Sequence, residues 1–238
     1  MPARMSETSA EQASKMSIVF SLIRKDLIVE YRSKQIFITT LFFGLLVIVV
    51  GNFALSNAGE LTPVHAPGVL WISFLFSGLL FLNHILQVEK EENTLSAILI
   101  SPATPGHLFL GKMLAASAFL IGLEVVLIPV FHFLFNFPFT INSVWLLLVI
   151  VLTAFGYSSL GVLFSTMSLG LKNREIILSV ILFPILLPLL IMAVKSSIIL
   201  LNGLNMRQFY FWLKMLASFN IIFVFLSYWC YYWIIEEM

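Results

Sequence analysis

One acidic residue, Glu124, lies near the middle of a long apolar stretch at residues 108–133. If that stretch crosses a membrane, an ionised carboxylate at its centre costs about 2.5–3.5 kcal/mol on insertion scales, so its side chain is not expected to face lipid. A carboxyl group there can line the path of a transported solute or the interface with a second subunit. The alternative is a protonated carboxyl that only hydrogen-bonds to a neighbouring helix.

Two prolines, Pro184 and Pro188, lie inside another apolar stretch at residues 176–194. Each removes a backbone donor and can kink a helix. The kink serves either as a hinge in a conformational cycle, on a translocation path or at a subunit interface, or as a static bend, and the sequence leaves these readings open. Small residues allow helices to approach closely, and we predict a packing role for four of them in the preceding stretch: Gly156, Ser158, Ser159 and Gly161.

The sequence lacks the residue sets that nucleotide or covalent chemistry would need. It contains no Gly-x-x-x-x-Gly-Lys-Ser/Thr phosphate loop, so any ATP is expected on a partner subunit. The single cysteine, Cys230, excludes an intrachain disulfide. No convergent set of nucleophile, base and metal ligands is visible in the apolar stretches. We therefore predict no catalytic residue and no metal site, and the absence of a basic tract argues against a nucleic-acid partner.

The composition indicates how these residues must be positioned. Hydrophobic residues make up 60% of the 238 residues and charged residues 11%, against roughly 25% charged residues in a soluble domain. Because so few charges cannot cover a globular surface, most of the chain must be solvated by lipid. Long continuous apolar runs favour helices over a membrane barrel. The fold class is therefore an all-α integral membrane protein with six transmembrane helices, predicted at 36–56, 69–87, 108–133, 144–169, 176–194 and 213–235.

The basic residues predict the orientation of this membrane domain (36–238). Ten of the 13 Lys and Arg residues precede the first span or lie in or beside the links after spans two and four, which places both termini in the cytoplasm. Residues 1–15 are expected to form a disordered tail, with Met16 as an alternative start. Residues 16–35 are expected to form an amphipathic helix in the cytoplasmic headgroup layer. The alternative is a solvated, positively charged flank.

The link after the second span predicts a contact with a soluble partner. Two acidic residues extend the span as a charged helix, Asn93 can end it, and a threonine can cap a short helix at 94–100 with three apolar side chains on one face. A Ser-Pro pair then disfavours further helix. Such a helix can dock in a groove of a partner and pass motion to the spans; the alternative is a lid on its own bundle. The predicted coupling residues are Glu89, Glu91, Thr94, Leu95, Ile98, Leu99, Ser101 and Pro102.

This link carries a family resemblance. The order Glu89-x-Glu91-x-Asn93-Thr94-Leu95, followed by Leu99-x-Ser101-Pro102, resembles the first cytoplasmic loop of ABC-2 type transporter permeases, with Asn93 where that family usually has Gly. A wider set of residues resembles the haem exporter protein B (CcmB) family, the permease of the cytochrome c maturation system. That set spans roughly half of the chain: Ala66-Pro67-Gly68, Trp71, Ser101-Pro102, Gly111-Lys112, Gly170-Leu171-Lys172, Leu178-Ser179, Pro184 and Pro188.

The resemblance implies an ABC permease in the bacterial inner membrane with a separate ATPase subunit, and a permease dimer is the expected assembly. It also implies a haem-handling membrane protein and a periplasmic haem chaperone as partners. The work would be haem export or the ATP-driven release of haem-loaded chaperone. Histidine often ligates haem iron, so His65, beside the Ala-Pro-Gly triplet, is a candidate haem contact. Trp71, one of the residues that carry the resemblance, is the second candidate. A solvated histidine at the membrane surface is the alternative.

The mechanism predicted from these features is transmission of motion. Closure of ATPase subunits would push the 94–100 helix, together with the turn at 171–175, and the spans would rearrange. The link at 195–212 is expected to form short helices at the outer surface, where a partner could bind. Two alternatives remain: an ABC-2 exporter of a lipid, glycan or drug, and a non-ATP-linked scaffold or intramembrane enzyme. Loss of c-type cytochromes on deletion, and co-purification of an ATPase, discriminate between them.

Overall fold

The computed structural model describes residues 34–57, 64–91, 104–138, 142–168, 174–203 and 205–237, and within these ranges it contains six helices and no strand. Each helix contains a segment that is long and apolar enough to cross a bilayer. This confirms the prediction of an all-α membrane protein with six spans. The helices are α1 (Lys34–Asn57), α2 (Ala66–Glu91), α3 (Pro105–Leu134), α4 (Asn142–Ser168), α5 (Arg174–Leu201) and α6 (Met206–Glu237).

The two ends of the last link differ from the prediction. α5 continues to Leu201 and α6 begins at Met206, so the short surface helices expected at 195–212 are wrong. Only a turn separates the two spans: Gly203 has a positive φ of 63°, and the Asn205 side chain accepts a 2.9 Å hydrogen bond from the backbone N–H of Arg207. Charges near a helix end do not break a span, because Lys and Arg extend their heads toward the membrane surface.

α4 is the central helix of the bundle. It contacts α2, α3, α5 and α6. Of its most apolar 18 residues 72% are buried, whereas the corresponding share is 17% in α1 and in α6. α1 packs on α2 and α3 and turns a stripe of apolar side chains outward. Because that stripe repeats about every four residues, it forms one lipid-facing side of the helix: Ile38, Phe42, Leu46, Val50 and Phe53.

Contacts between helices fix their relative directions. The rings of Phe37 and Phe119 are 5.7 Å apart, and Asn52 donates a 2.8 Å hydrogen bond to the carbonyl of Leu134, so α1 and α3 run parallel. α2 runs antiparallel to α1, because the hydroxyl of Ser73 bonds Gly44 O and the hydroxyl of Ser77 bonds Thr40 O. The alternating directions agree with a chain that crosses the membrane at each helix. The tail at 1–15, most of the predicted interfacial helix at 16–35 and the short helix at 94–100 lie outside the described residues.

Candidate functional site

α2 continues past its apolar segment toward the link that the sequence singled out. Its apolar segment ends at Ile85, whereas the helix continues to Glu91. Glu89 and Glu91 therefore lie on a helical extension of the span. The other six predicted coupling residues, Thr94 to Pro102, lie outside the described residues. The described chain resumes at Thr104, immediately before α3. Because both ends of the link are helices of the bundle, a force on the link acts directly on α2 and α3.

α2 is connected to three other helices by side-chain hydrogen bonds. The bonds link it to α1 near the middle of the membrane, to α4 at a similar depth, and to α5 nearer the opposite end from the link. Bonds at separate depths resist both tilting and sliding of the helix, so a displacement of α2 is passed to its neighbours. The bonds are Ser73–Gly44 O (2.9 Å), Ser77–Thr40 O (3.2 Å), Tyr157–Leu75 O (3.0 Å) and Trp71–Ser197 (2.9 Å).

Glu124 lies inside the bundle. Its side chain is 1% exposed, and neither carboxylate oxygen has a hydrogen-bond partner among the described residues. It lies 19 residues after Pro105, which is roughly 28 Å along α3 from the end that joins the link. The expected position away from lipid is therefore observed. A buried carboxyl without a partner normally costs stability, so its presence calls for a functional explanation.

Other buried polar groups also have an atom without a partner within the described part of the chain. Those on the central helix α4 and on α6 include the hydroxyl of Ser158 and the Oδ1 atom of Asn220. Asn220 was missed in the sequence, although an amide in the apolar run of the last span is a visible signal. Its Oδ1 would lie 2.9 Å from a Cβ added at Gly156, so its side chain faces α4. The interior of the bundle therefore holds more than one unsatisfied polar group.

The small residues of α4 pack as predicted. A Cβ added at Gly156 would lie 2.8 Å from Leu189, and one added at Gly161 would lie 2.6 Å from Leu82. The packing prediction is confirmed at both glycines.

The prolines of α5 lie on its outer face. Pro184 and Pro188 are both exposed and one turn apart, in line with Val180 and Ile191, within a helix that runs unbroken from Arg174 to Leu201. They do not line the interior of this chain. Their role as a hinge or an interface stays a prediction.

The two predicted haem contacts have different environments. His65 is exposed in the turn before α2, where its carbonyl accepts a 3.0 Å hydrogen bond from Gly68 N. Trp71 is 2% exposed, and its indole N–H bonds Ser197. Only His65 of the pair presents its side chain to the surroundings. Within the ranges that the structure describes, no group of three or more His, Cys, Asp or Glu residues is arranged to hold a metal ion.

Comparison with known proteins gives a consistent result. A family model described as CcmB protein matches residues 17–232. A protein named Heme exporter protein B from Pseudomonas aeruginosa is 28% identical over 205 residues, which is 85% of this chain and 91% of the relative. Proteins of the same name are similar in Haemophilus influenzae (26% over 190 residues, 79% of this chain and 84% of the relative) and Paracoccus denitrificans (28% over 177 residues, 74% and 80%).

Proposed function

The chain belongs to the CcmB protein family, and from that premise we propose that it is the membrane permease subunit of an ABC transporter complex that acts in cytochrome c biogenesis. The observation that carries the proposal is the extent of the family match. Residues 17–232 include the first five spans, the 92–103 link and nearly all of the last span. The name of the relatives, heme exporter protein B, supports haem as cargo.

The proposed role of the chain is to transmit motion and not to hydrolyse ATP. The sequence has no phosphate loop, so ATP belongs on a partner ATPase. The partner would grip the apolar face of Leu95, Ile98 and Leu99. Displacement of the link would then move α2 and α3 together. α2 would pass the motion to α1, α4 and α5 through its hydrogen bonds.

We assign Glu124 to the moving part of this mechanism. It lies on α3, the helix that leaves the link, so a shift of the link changes its surroundings directly. Its carboxyl has no partner in the described chain. It would acquire one from a substrate, from a second permease copy, or from a rearranged bundle. Pro184 and Pro188, on the outer face of α5, would serve a hinge or an interface with another subunit.

The assembly proposed from the family is a permease dimer with an ATPase subunit in the bacterial inner membrane, with both termini cytoplasmic. A haem-handling membrane protein and a periplasmic haem chaperone complete the set of partners. His65 is the proposed haem contact of this chain. Trp71 would join it only if α2 and α5 separate, because its indole is now enclosed between them.

Deletion of the gene in the source organism tests the proposal. Haem-stained c-type cytochromes are expected to disappear and to return when the full chain is supplied on a plasmid. Normal cytochromes in the deletion strain would contradict the proposal and favour an exporter of another cargo.

Purification of the tagged chain in detergent tests the partner, and an ATPase subunit is expected to co-purify. Loss of cytochromes without any ATPase would favour a scaffold or an intramembrane enzyme.

A further inference from the structure

A pocket of about 590 Å³ opens at the end of the bundle opposite the 92–103 link. Its walls come from the last turns of α5, the first turns of α6 and Val64 in the turn that precedes α2. The volume falls within the roughly 300–1,000 Å³ that is typical of small-molecule sites. The polar residues of the wall are Lys195, Arg207 and Gln208, and the aromatic residues are Phe211 and Trp212.

The pocket concentrates positive charge where the sequence otherwise has little. Three of the 13 basic residues lie near the turn between α5 and α6, at the end of the bundle opposite the 92–103 link: Lys195, Arg207 and Lys214. Two of them, Lys195 and Arg207, line this pocket. Neither Lys195 nor Arg207 has a carboxylate partner among the described residues. Both side chains are exposed, so their charged groups are accessible to a ligand in the pocket. α6 also begins here, and the positive end of its helix dipole adds to the field.

The remaining walls of the pocket are apolar. Phe211 is 57% exposed, Trp212 is half-buried, and Ile198 and Ile199 of α5 close the other side. A small inorganic anion would leave these surfaces in contact with water. A ligand with an apolar body and an acidic group satisfies both kinds of wall. The guanidinium of Arg207 can bind a carboxylate or a phosphate through two parallel hydrogen bonds.

We propose that this pocket binds an amphiphile that carries a carboxylate or phosphate group. Two sources of this chemistry fit the walls. One is a porphyrin, whose flat apolar ring would lie against Phe211 and Trp212 while its carboxylates meet Lys195 and Arg207. The other is an anionic phospholipid, whose phosphate would take the same position. The porphyrin source rests on the function proposed above, whereas the phospholipid source rests only on the pocket and its charges.

The test compares a double variant, K195Q/R207Q, with K214Q, which removes a neighbouring exposed cation that does not line the pocket. In the porphyrin arm, the full chain in nanodiscs of zwitterionic lipid is titrated with protoporphyrin IX and with its dimethyl ester. In the lipid arm, native mass spectrometry counts the phosphatidylglycerol that remains on the detergent-purified chain. Thermal melting and gel filtration establish that each variant is folded.

The double variant is expected to weaken protoporphyrin IX binding by about tenfold or more, or to lose the retained lipid, because the acidic group of the ligand loses its charge-assisted hydrogen bonds. K214Q is expected to match the wild type.

The outcomes identify the ligand. A loss of binding in the porphyrin arm, with weak binding of the dimethyl ester, identifies a carboxylate ligand. A loss in the lipid arm alone identifies a phospholipid. Unchanged behaviour of the double variant in both arms overturns the proposal. If the double variant does not fold, K195Q and R207Q are tested singly by the same criteria.

Discussion

The indole N–H of Trp71 donates a 2.9 Å hydrogen bond to the hydroxyl of Ser197, and that hydroxyl donates in turn to the carbonyl of Ala193. The first bond joins α2 to α5 between residues that are 2% and 0% exposed. Ser197 thus acts as acceptor and donor at once. Since α2 also holds one end of the 92–103 link, this pair is a point at which motion of the link would reach α5.

We predict that Ser197→Ala lowers the stability of the chain more than Ser196→Ala. Ser196 is also fully buried and also bonds a carbonyl one turn earlier, at Met192, so it is a matched control without a partner on α2. Removing the Ser197 hydroxyl leaves the indole N–H buried and unpaired, at a cost of about 1–3 kcal/mol. Thermal melting of the two variants in detergent measures the difference.

A double-mutant cycle with Trp71→Phe isolates the bond between the two helices. We expect a coupling energy of about 0.6–2 kcal/mol, the range found for hydrogen bonds between membrane helices. Equal stability losses for Ser197→Ala and Ser196→Ala, together with a coupling energy of zero, would show that the bond contributes nothing.

The contact between Gly78 and Tyr157 gives a second prediction. A Cβ added at Gly78 would lie 2.7 Å from Cζ and 2.9 Å from the hydroxyl oxygen of Tyr157, whose O–H bonds Leu75 O at 3.0 Å. Gly78→Ala must therefore displace the ring and break the bond between α2 and α4. We expect a loss of about 1–3 kcal/mol, as for other overpacked interiors.

The control for Gly78→Ala is Gly122→Ala. Gly122 also lies in a membrane-spanning helix, but an added Cβ there meets nothing within 4 Å. This variant is expected to melt at or slightly above the wild-type temperature, because alanine is the better helix former. Similar melting temperatures for the two variants would mean that α2 and α4 approach less closely than described.

Much of the fold follows from the sequence because lipid imposes a simple rule. A span needs about 20 apolar residues with internally bonded backbone, and six such runs are visible. The same rule predicts that Glu124 turns inward. The end of α5 and the start of α6 differ from the prediction because the stretch at 195–212 mixes polar and apolar residues, and the long side chains of Lys195 and Arg207 allow the helices to continue through it.

The site could be predicted less well, for a physical reason. Trp71 and Ser197 are separated by 126 positions, and their bond depends on how two helices rotate against each other. No local pattern encodes that rotation, so Trp71 was assigned to a ligand and not to a helix contact. The pocket at the other end of the bundle from the link could not be predicted for the same reason, because its two cations, Lys195 and Arg207, come from different helices.

Glu124 gives a third prediction, in which stability and function separate. The carboxyl is 1% exposed and unpartnered within the described chain. Replacing a buried polar group by an apolar one of similar volume is often neutral or stabilising. We therefore expect Glu124→Met to melt at or above the wild-type temperature and yet to fail to restore c-type cytochromes in the deletion strain. Glu124→Gln, which keeps the shape and a polar end, is expected to retain part of the activity.

Two outcomes would contradict this account of Glu124. If Glu124→Met accumulates normally and supports wild-type cytochrome levels, the carboxyl has no role in the proposed cycle. If the variant melts well below the wild type, the group stabilises the resting bundle through a partner outside the described residues. Immunoblots of the membrane fraction establish protein levels in both cases.

The apolar face that the sequence predicts for Leu95, Ile98 and Leu99 gives the last prediction. Burying one such side chain against a partner contributes about 1.5–3 kcal/mol, so a charged pair in its place is expected to weaken the complex by at least about a hundredfold. Leu95→Glu/Leu99→Glu should lose the co-purifying ATPase and the c-type cytochromes while the chain stays in the membrane. Leu95→Met/Leu99→Met keeps an apolar face of similar volume and is expected to retain both the ATPase and the cytochromes.

Because the substitutions lie outside the six spans, the melting temperature of the purified chain should not change. Equal recovery of ATPase with the charged and the apolar pair would mean that the partner grips the permease elsewhere, and the path from the link through α2 and α3 would lose its starting point.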